Sequence, residues 1–410
     1  MHLLLSMKGS KTAAIGFIFI TMTIDVIGWG LIIPVMPSLI SELKNIPIKE
    51  TSPWGGYLVS VFALMQLLFS PLMGNLSDRF GRRPIILISL VVFCIDYIIL
   101  ALAHNYSLLM FGRILAGITG ASFTAATAYI ADISTPETRA KNFGLIGAAF
   151  GLGFVIGPAL GGLLSVWGLR APFYAAAVLC FINFLYGYFV LPESLKPENR
   201  RPLEWKKANP IGSFQHFKKY PAISGLVIAF VFMYLASHAV QANWNYFTMF
   251  RFKWTEKQVG VSLAVVGVLV GLVQGGLIRV INPRLGNAKS IYLGLTLYGI
   301  GLALFAFATQ SWMMYVFLIP YCLGGIAGPA LQSIITEKVP ANEQGQLQGG
   351  LTSLMSATSI VGPYIMTNLF YYSVSDNGSF YFPGAPFLLG SILMFISALL
   401  AWTFLKKKLI

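Results

Sequence analysis

The chain has 410 residues, of which 56% are apolar and only 10% charged, so it cannot be a soluble globule. Soluble proteins wet their surface with about 25% charged residues, and disordered chains combine low hydropathy with high charge. The net charge of +14 suits the loops of a polytopic membrane protein before it asks for nucleic acid.

A hydrocarbon core ~30 Å thick needs ~20 mostly apolar residues per helix. Turn and charge breaks divide the chain into twelve such stretches, near 12–40, 53–75, 84–103, 107–131, 141–166, 171–191, 221–248, 257–280, 289–308, 312–334, 345–371 and 382–404. The Leu3–Leu5 run is too short for a secretory leader, so the first span is expected to remain. The predicted fold is all-α: six helices in residues 1–191, a basic linker over 192–220, and six helices in 221–410. An even number of spans puts both termini on one side of the membrane. That side carries 21 of the 28 Lys and Arg residues, the other side six, and Arg113 is left inside a helix. The positive-inside rule then places both termini and the linker in the cytoplasm.

Other chemistries find no support. Cys94, Cys180 and Cys322 lie in apolar stretches and are odd in number, which is no disulfide framework. The four histidines are scattered, so no metal cluster is expected. There is no G-x-x-x-x-G-K-[ST] sequence to drive the protein directly with ATP. No nucleophile constellation suggests an enzyme, and no cofactor is implied.

A shift by half the chain length superimposes unusual residues of the two halves. Arg79-Phe80-Gly81 meets Arg284-Leu285-Gly286, Gly120 meets Gly325, and Asp132 meets Glu337. Gly144 meets Gly349, and Gly157-Pro158 meets Gly362-Pro363. Two related halves facing each other make the central cavity of an alternating-access transporter.

Three charges lie inside the apolar spans, where each costs ~2.5–3.5 kcal/mol on insertion scales. At ~1.5 Å per residue, Asp25 lies ~21 Å beyond Lys11, Asp96 ~18 Å beyond Pro84, and Arg113 at a similar depth from the opposite side. The three are placed to meet in one cluster or to line one wet cavity. Asp96 with Arg113 reads equally as a fixed ion pair or as part of a coupling site. Two acids share one cation, which leaves Asp25 as the spare acid. Carboxyl groups taken out of water hold a proton more readily, and a proton-driven antiporter needs such a group. In the second half, Gln241, Asn243, Trp244, Asn245, Tyr246 and Gln274 are candidates to face a cavity and bind a flat amphiphile, against the plainer reading that amides bond neighbouring helices.

After the second span stands Gly74-Asn75-Leu76-Ser77-Asp78-Arg79-Phe80-Gly81-Arg82-Arg83-Pro84. Positive-inside charge alone does not call for Asp78 or the two glycines. The run resembles the loop between helices two and three of the major facilitator superfamily. The resemblance implies a cytoplasmic gate of Gly74, Asp78, Arg79, Gly81 and Arg82, with Asp132 as the helix-four acid. Gly144, Gly153, Gly157-Pro158 and Gly161-Gly162 match the antiporter motif of drug:H⁺ exporters in every position. Arg113 with Gly117 and Gly120 is similar to that family's helix-four motif. Asp25 through Pro34, Asp96-Tyr97, Gly117 through Ala121, Pro192-Glu193-Ser194 and Gly345 through Gly349 resemble the tetracycline-efflux branch.

This resemblance implies a proton-driven exporter of an amphiphilic compound, working as a monomer in the bacterial inner membrane, with Asp25, Asp96 and Arg113 in coupling. Two departures stand out. Val270 and Tyr298 occupy the positions of a helix-eight histidine and a helix-nine aspartate that the branch uses in tetracycline–proton exchange. They leave open a native metabolite or lipid as the cargo, and a non-transporting receptor stays as the reading from another class.

Overall fold

A computed structural model describes residues 2–120, 122–200, 223–340, 343–375 and 381–406, and among these there is no strand. Helices are what an apolar solvent demands, because every backbone N–H and C=O must be satisfied within its own segment. The elements are α1 (His2–Ile32), α2 (Met36–Lys44), α3 (Ile48–Phe80), α4 (Arg82–Leu102), α5 (Tyr106–Thr119), α6 (Ser122–Ile133), α7 (Pro136–Leu164) and α8 (Ala171–Val190), followed by α9 (Ser224–Phe252), α10 (Glu256–Leu272), α11 (Ile278–Ala306), α12 (Ser311–Leu323), α13 (Ala327–Glu337), α14 (Gln344–Val374) and α15 (Ala385–Lys406).

Among the described residues, ten helical stretches are long and apolar enough to cross a membrane. One of them, Glu256–Ala306, has 51 residues, which is ~76 Å of helix against a ~30 Å core. It breaks at Gly286 (φ 75°, ψ 161°) and so supplies two crossings. Among the described residues α14, at 31 residues, is long enough for a further crossing, in keeping with the twelve stretches expected. The first span is not continuous: α1 ends before the turn Ile33–Val35 and α2 resumes the course, because Pro34 has no N–H to donate and its ring crowds the preceding turn.

The repeat reappears in the backbone. The fourth span breaks at Gly120, between α5 and α6, and the tenth at the 3₁₀ turn Gly324–Ile326, between α12 and α13. Gly81 (φ 108°) and Gly286 (φ 75°), equivalent positions of the two halves, both lie at positive φ, where only glycine is at ease.

α4 shows how the helices meet their solvent. Ile88, Val91, Ile95, Ile98 and Leu102 form an exposed stripe at helical spacing, Ile88 at 52% and Leu102 at 59%. In water such a face would be buried; here it is the lipid face. Ile86, Leu90, Tyr97 and Leu100 are buried on the other side.

By packing, the chain divides into two compact units: Met1–Leu39 with Leu64–Asn209 and Glu256–Ala264, and Ile40–Ala63 with Pro210–Thr255 and Val265–Ile410. The division runs through α3 and α10 as well as through the central loop. The core of the first unit holds Phe17, Ile18, Ile86, Leu90 and Tyr129. The second is rich in ring contacts, with Trp244 edge-on to Phe305 at 5.2 Å and Phe247 to Phe387 at 4.9 Å. The linker is described as far as Arg200; Arg201, Lys206, Lys207, Lys218 and Lys219 lie outside the described residues.

Candidate functional site

The residues expected to form the gate gather around one guanidinium. Arg82 is the first residue of α4, and its side chain is almost wholly enclosed. Its Nη1 lies 2.5 Å from Asp78 Oδ1 and donates to Ser77 Oγ at 2.6 Å, while Nε donates to Asp132 Oδ2 at 3.2 Å. The fork geometry of arginine lets one side chain tie the end of α3, the start of α4 and the end of α6 together.

A residue that carried no expected role joins this cluster. Glu193 Oε1 accepts from the N–H of Arg82 at 2.9 Å and of Leu195 at 3.0 Å, and its Oε2 accepts from the N–H of Arg83 at 3.2 Å. The N-cap of α4 is Gly81, which has no side chain to cap with. Glu193 supplies that cap from the opposite end of the half, placing negative charge where the helix dipole favours it. A Cβ on Gly81 would strike the Glu193 carboxylate, a second reason for glycine there. Ser194 Oγ donates to Asp132 Oδ2 at 3.0 Å, and the Tyr129 hydroxyl donates to the Pro192 carbonyl at 2.9 Å. Asp78, Arg82, Asp132, Leu195 and Glu198 line a polar cavity of about 590 Å³.

Two of the expected gate residues stand apart. Arg79 lies over the Phe80 ring, 5.2 Å from its centroid. Gly74 has room for a side chain, its nearest neighbour being the Thr124 methyl at 3.8 Å.

Of the three charges in the membrane, the structure joins two. Arg113 Nη2 and Asp96 Oδ2 form a buried ion pair between α5 and α4, with Asp96 completely enclosed. Asp25 does not join them: its Oδ1 is buried with no hydrogen-bond partner among the described residues. Of the two arrangements expected, one cluster or one shared cavity, the cluster does not form: the three are a pair plus a separate acid. The link between them is packing, since the Tyr97 ring closes over Gly28, one turn along α1 from Asp25.

The antiporter glycines set the surface on which Asp25 sits. A Cβ at Gly153 would lie 2.6 Å from Val26, and one at Gly157 would lie 2.8 Å from the Ile27 carbonyl. Gly161 presses on the Leu31 backbone, so α7 rides directly on the stretch of α1 that follows Asp25. Pro158 packs against Gly30, and Gly162 against Glu256 and Gly260 at the start of α10. Gly144 has nothing within 4 Å and takes no part in this seam.

The second-half run is corrected in its placement. Gln241 is exposed and donates to Ser237 Oγ at 3.2 Å. Asn243 is completely buried and Trp244 nearly so, the latter inside the ring cluster with Phe305. Asn245 and Tyr246 are buried too, with the Tyr246 hydroxyl closing over Gly55. Four of the five residues thus face helix packing because α9 is enclosed on most sides. Gln274 is exposed and sits on a π turn, Val273–Leu277, a helix irregularity that recurs at functional sites. Tyr298 donates its hydroxyl to Tyr321 at 3.1 Å.

Two further polar side chains carried no expectation from the sequence. Gln66 Nε2 donates at 3.3 Å to the carbonyl of Gly120, where the fourth span breaks. His238 is buried against Gly362, and its Nε2 has no partner among the described residues. An ionisable side chain inside an apolar span was the available signal for His238; Gln66 offered none.

These features are those of one lineage. The chain matches the Major Facilitator Superfamily over residues 18–284 and 252–409. It belongs to that family. It is 42% identical to the tetracycline resistance protein, class C, of Escherichia coli, over 90% of this chain and 93% of that one. It is 31% identical to multidrug resistance protein 2 of Bacillus subtilis (strain 168), over 93% of this chain and 92% of that one. The fold is similar to that of the human organic anion transporter MFSD10 (TETRAN), at 22% identity and a TM-score of 0.70, covering 95% and 99% of the two chains. Family members of this kind are transporters, and the chain is a multi-pass membrane protein rather than an enzyme.

Proposed function

We propose that this protein is a proton-driven antiporter that exports an amphiphilic drug, with tetracycline as the first candidate. The observation that carries the reading is the division of the membrane charges: Asp96 is neutralised by Arg113, while Asp25 has a buried oxygen without a partner among the described residues. An acid with no fixed cation can take a proton from one side and release it to the other. The glycine seam of α7 against α1 lies beside it, where a helix shift alters its surroundings. Similarity to tetracycline and multidrug resistance proteins supports drug export as the task.

In this reading Asp25 carries the coupling proton, the Asp96–Arg113 pair sets the field around it, and the Arg82 latch holds the cytoplasmic gate. The exposed Gln241 and Gln274 contact the substrate; Asn243 and Trp244 shape the wall behind them. The protein works as a monomer in the inner membrane with both termini in the cytoplasm. One feature favours a native metabolite or lipid as cargo on the same scaffold: Val270 and the hydrogen-bonded Tyr298 leave the eighth and ninth spans without the histidine and aspartate at those positions.

The test is tetracycline uptake into everted membrane vesicles driven by an imposed pH gradient. Wild type is expected to accumulate tetracycline and to lose accumulation when the gradient is collapsed. Asp25→Asn is expected to lose gradient-driven uptake by about 100-fold or more while retaining tetracycline binding. Full uptake by Asp25→Asn would remove Asp25 from coupling, and no uptake by wild type would favour the native-cargo reading.

A further inference from the structure

We propose that His238 is a second proton-binding residue of this protein: its imidazole takes a proton when α14 parts from α9 and gives it up when the two helices close. The use of that proton in transport rests on the exporter reading.

The site is a close approach of backbone to ring. His238 stands about midway along α9, ~21 Å from Ser224 at ~1.5 Å per residue, and is 6% exposed. A Cβ at Gly362 of α14 would lie 2.6 Å from the imidazole Cγ, so it is glycine that lets α14 rest on the ring. α15 closes over the neighbouring turn, with Gly390 against the Ala236 carbonyl and the Ala239 methyl. Enclosed in this way, Nε2 is buried and has no hydrogen-bond partner among the described residues. A buried nitrogen left unpaired costs about 1–3 kcal/mol. A leucine there would fill the space without that cost, so packing alone does not account for the ring.

The repeat gives this contact a counterpart. The half-length shift carries Gly157-Pro158 of α7 onto Gly362-Pro363 of α14. In each half that helix presses on the first helix of the half: Gly157 on α1 just after Asp25, and Gly362 on α9 at His238. Each half therefore sets a titratable group with a buried, unpartnered atom beside its glycine seam. A seam closed by a glycine opens and shuts without turning a side chain of its own. That suits a group that must meet water in one state and be sealed in the other.

No acid is at hand to hold an imidazolium while the seam is shut. α9 packs with α13, α14 and α15. Among the described residues α14 has no charged side chain, and α13 and α15 have only Glu337 and Lys406, each the last residue of its helix. The charge on α9 itself is Arg251, ~20 Å further along. α11 and α3 reach α9 through Phe305 on Trp244 and Gly55 on Tyr246. Their charges stand towards their ends, Arg279, Arg284 and Lys289 on α11, and Lys49, Glu50, Asp78 and Arg79 on α3. The other titratable groups of these helices are phenols: Tyr234 and Tyr246 on α9, Tyr364, Tyr371 and Tyr372 on α14, Tyr292 and Tyr298 on α11, and Tyr57 on α3. Histidine is the side chain that changes charge between about pH 5 and 8. A charge sealed in apolar surroundings without a partner is too costly to persist, so His238 is neutral while α14 covers it. It gains its proton when α14 moves off and water or cargo reaches Nε2. Gln241, exposed and one turn further along α9, stands on the neighbouring surface for that cargo.

The test is tetracycline uptake in everted vesicles at a fixed pH gradient, with both compartments stepped between about pH 5 and 8. His238→Gln keeps a polar side chain and cannot take the proton. It is expected to lower kcat about tenfold with KM within about twofold, and to flatten the pH profile over that range. Tetracycline counterflow, which needs no net proton movement, is expected to fall by less than about threefold. A wild-type kcat and pH profile in His238→Gln, or a loss of counterflow as large as the loss of uptake, overturns the proposal. If wild type shows neither uptake nor counterflow, the exporter reading falls instead. Hydrogen exchange at the amides of residues 359–366, corrected for the intrinsic effect of pH, then decides the proton site. Exchange that quickens about fivefold from pH 8 to pH 5 in wild type and not in His238→Gln supports it, and the same response in both overturns it.

Discussion

Glu193 holds three backbone N–H groups on one carboxylate, so the Arg82 side chain starts from a fixed backbone before it reaches any acid. Glu193→Gln keeps one acceptor oxygen, replaces the other with a donor facing an N–H, and removes the charge at the helix terminus. The expected loss is about 1–2 kcal/mol, read as a lowered thermal midpoint of the purified protein in detergent. An unchanged midpoint would mean that water caps α4 as well as Glu193 does. Asp78 and Arg82 are conspicuous as charge in a glycine-bounded loop, the gate role of Asp132 enters only through the family resemblance, and the structure brings all three together. Glu193 stands out in the sequence only as part of a family-like run, and its capping role could not be read there, because the helix it caps begins 111 residues away and a cap supplied across a half leaves no local pattern. The same reasoning separates Asp96 and Arg113, whose depths matched and whose charges pair, from Trp244. On a helix that is apolar nearly all round, periodicity does not say which side faces a cavity and which faces neighbours.

At the scale of the element, α7 shows that a motif can be read whole and still contain unlike parts. Gly153, Gly157 and Gly161 recur every four residues and let α7 approach the backbone of α1 closely, whereas Gly144 meets nothing. Gly144→Ala is therefore expected to leave uptake unchanged and to stabilise the helix by up to about 0.5–1 kcal/mol, the ordinary gain of alanine over glycine. Gly157→Ala forces its methyl onto the Ile27 carbonyl and the Gly30 Cα, both backbone atoms that cannot swing aside. Overpacking of this kind costs about 1–3 kcal/mol, and because the displaced stretch adjoins Asp25, uptake is expected to fall at least tenfold. Equal uptake in the two variants, measured at matched protein amounts, would show that the seam is not where coupling is felt. Glycines at this spacing in the sequence are compatible with close helix packing. The spacing could not show that the packing partner is the segment after Asp25, since contacts between the first and fifth spans are settled only by the tertiary fold.

At the scale of the whole molecule, the compact units do not follow the chain's two sequence halves, and this has a consequence for assembly. The segment Ile40–Ala63, which holds the end of α2 and the first part of α3, packs with second-half helices: Ser52 Oγ donates to the Thr367 carbonyl at 3.0 Å, and Gly55 lies under the Tyr246 hydroxyl. The start of α10 packs in turn with first-half helices, Gly260 against Pro158 and Gly162. Thr51, Ser52 and Leu58 on one side, and Val259 and Ser262 on the other, are buried in these exchanged segments. The half-length repeat was visible in the sequence, but repeats report common descent of the halves and say nothing about which half a helix end packs against. If the chain is divided between Arg200 and Ile223, each half expressed alone bares these surfaces to lipid, and Ser52 loses the Thr367 carbonyl to a solvent that offers no hydrogen bond. Each is expected to be degraded alone, and the two co-expressed halves are expected to accumulate, to copurify and to restore gradient-driven tetracycline uptake. Stable accumulation of either half by itself, at the level of the intact chain, would show that the exchanged segments contribute little and that each half is a folding unit in its own right.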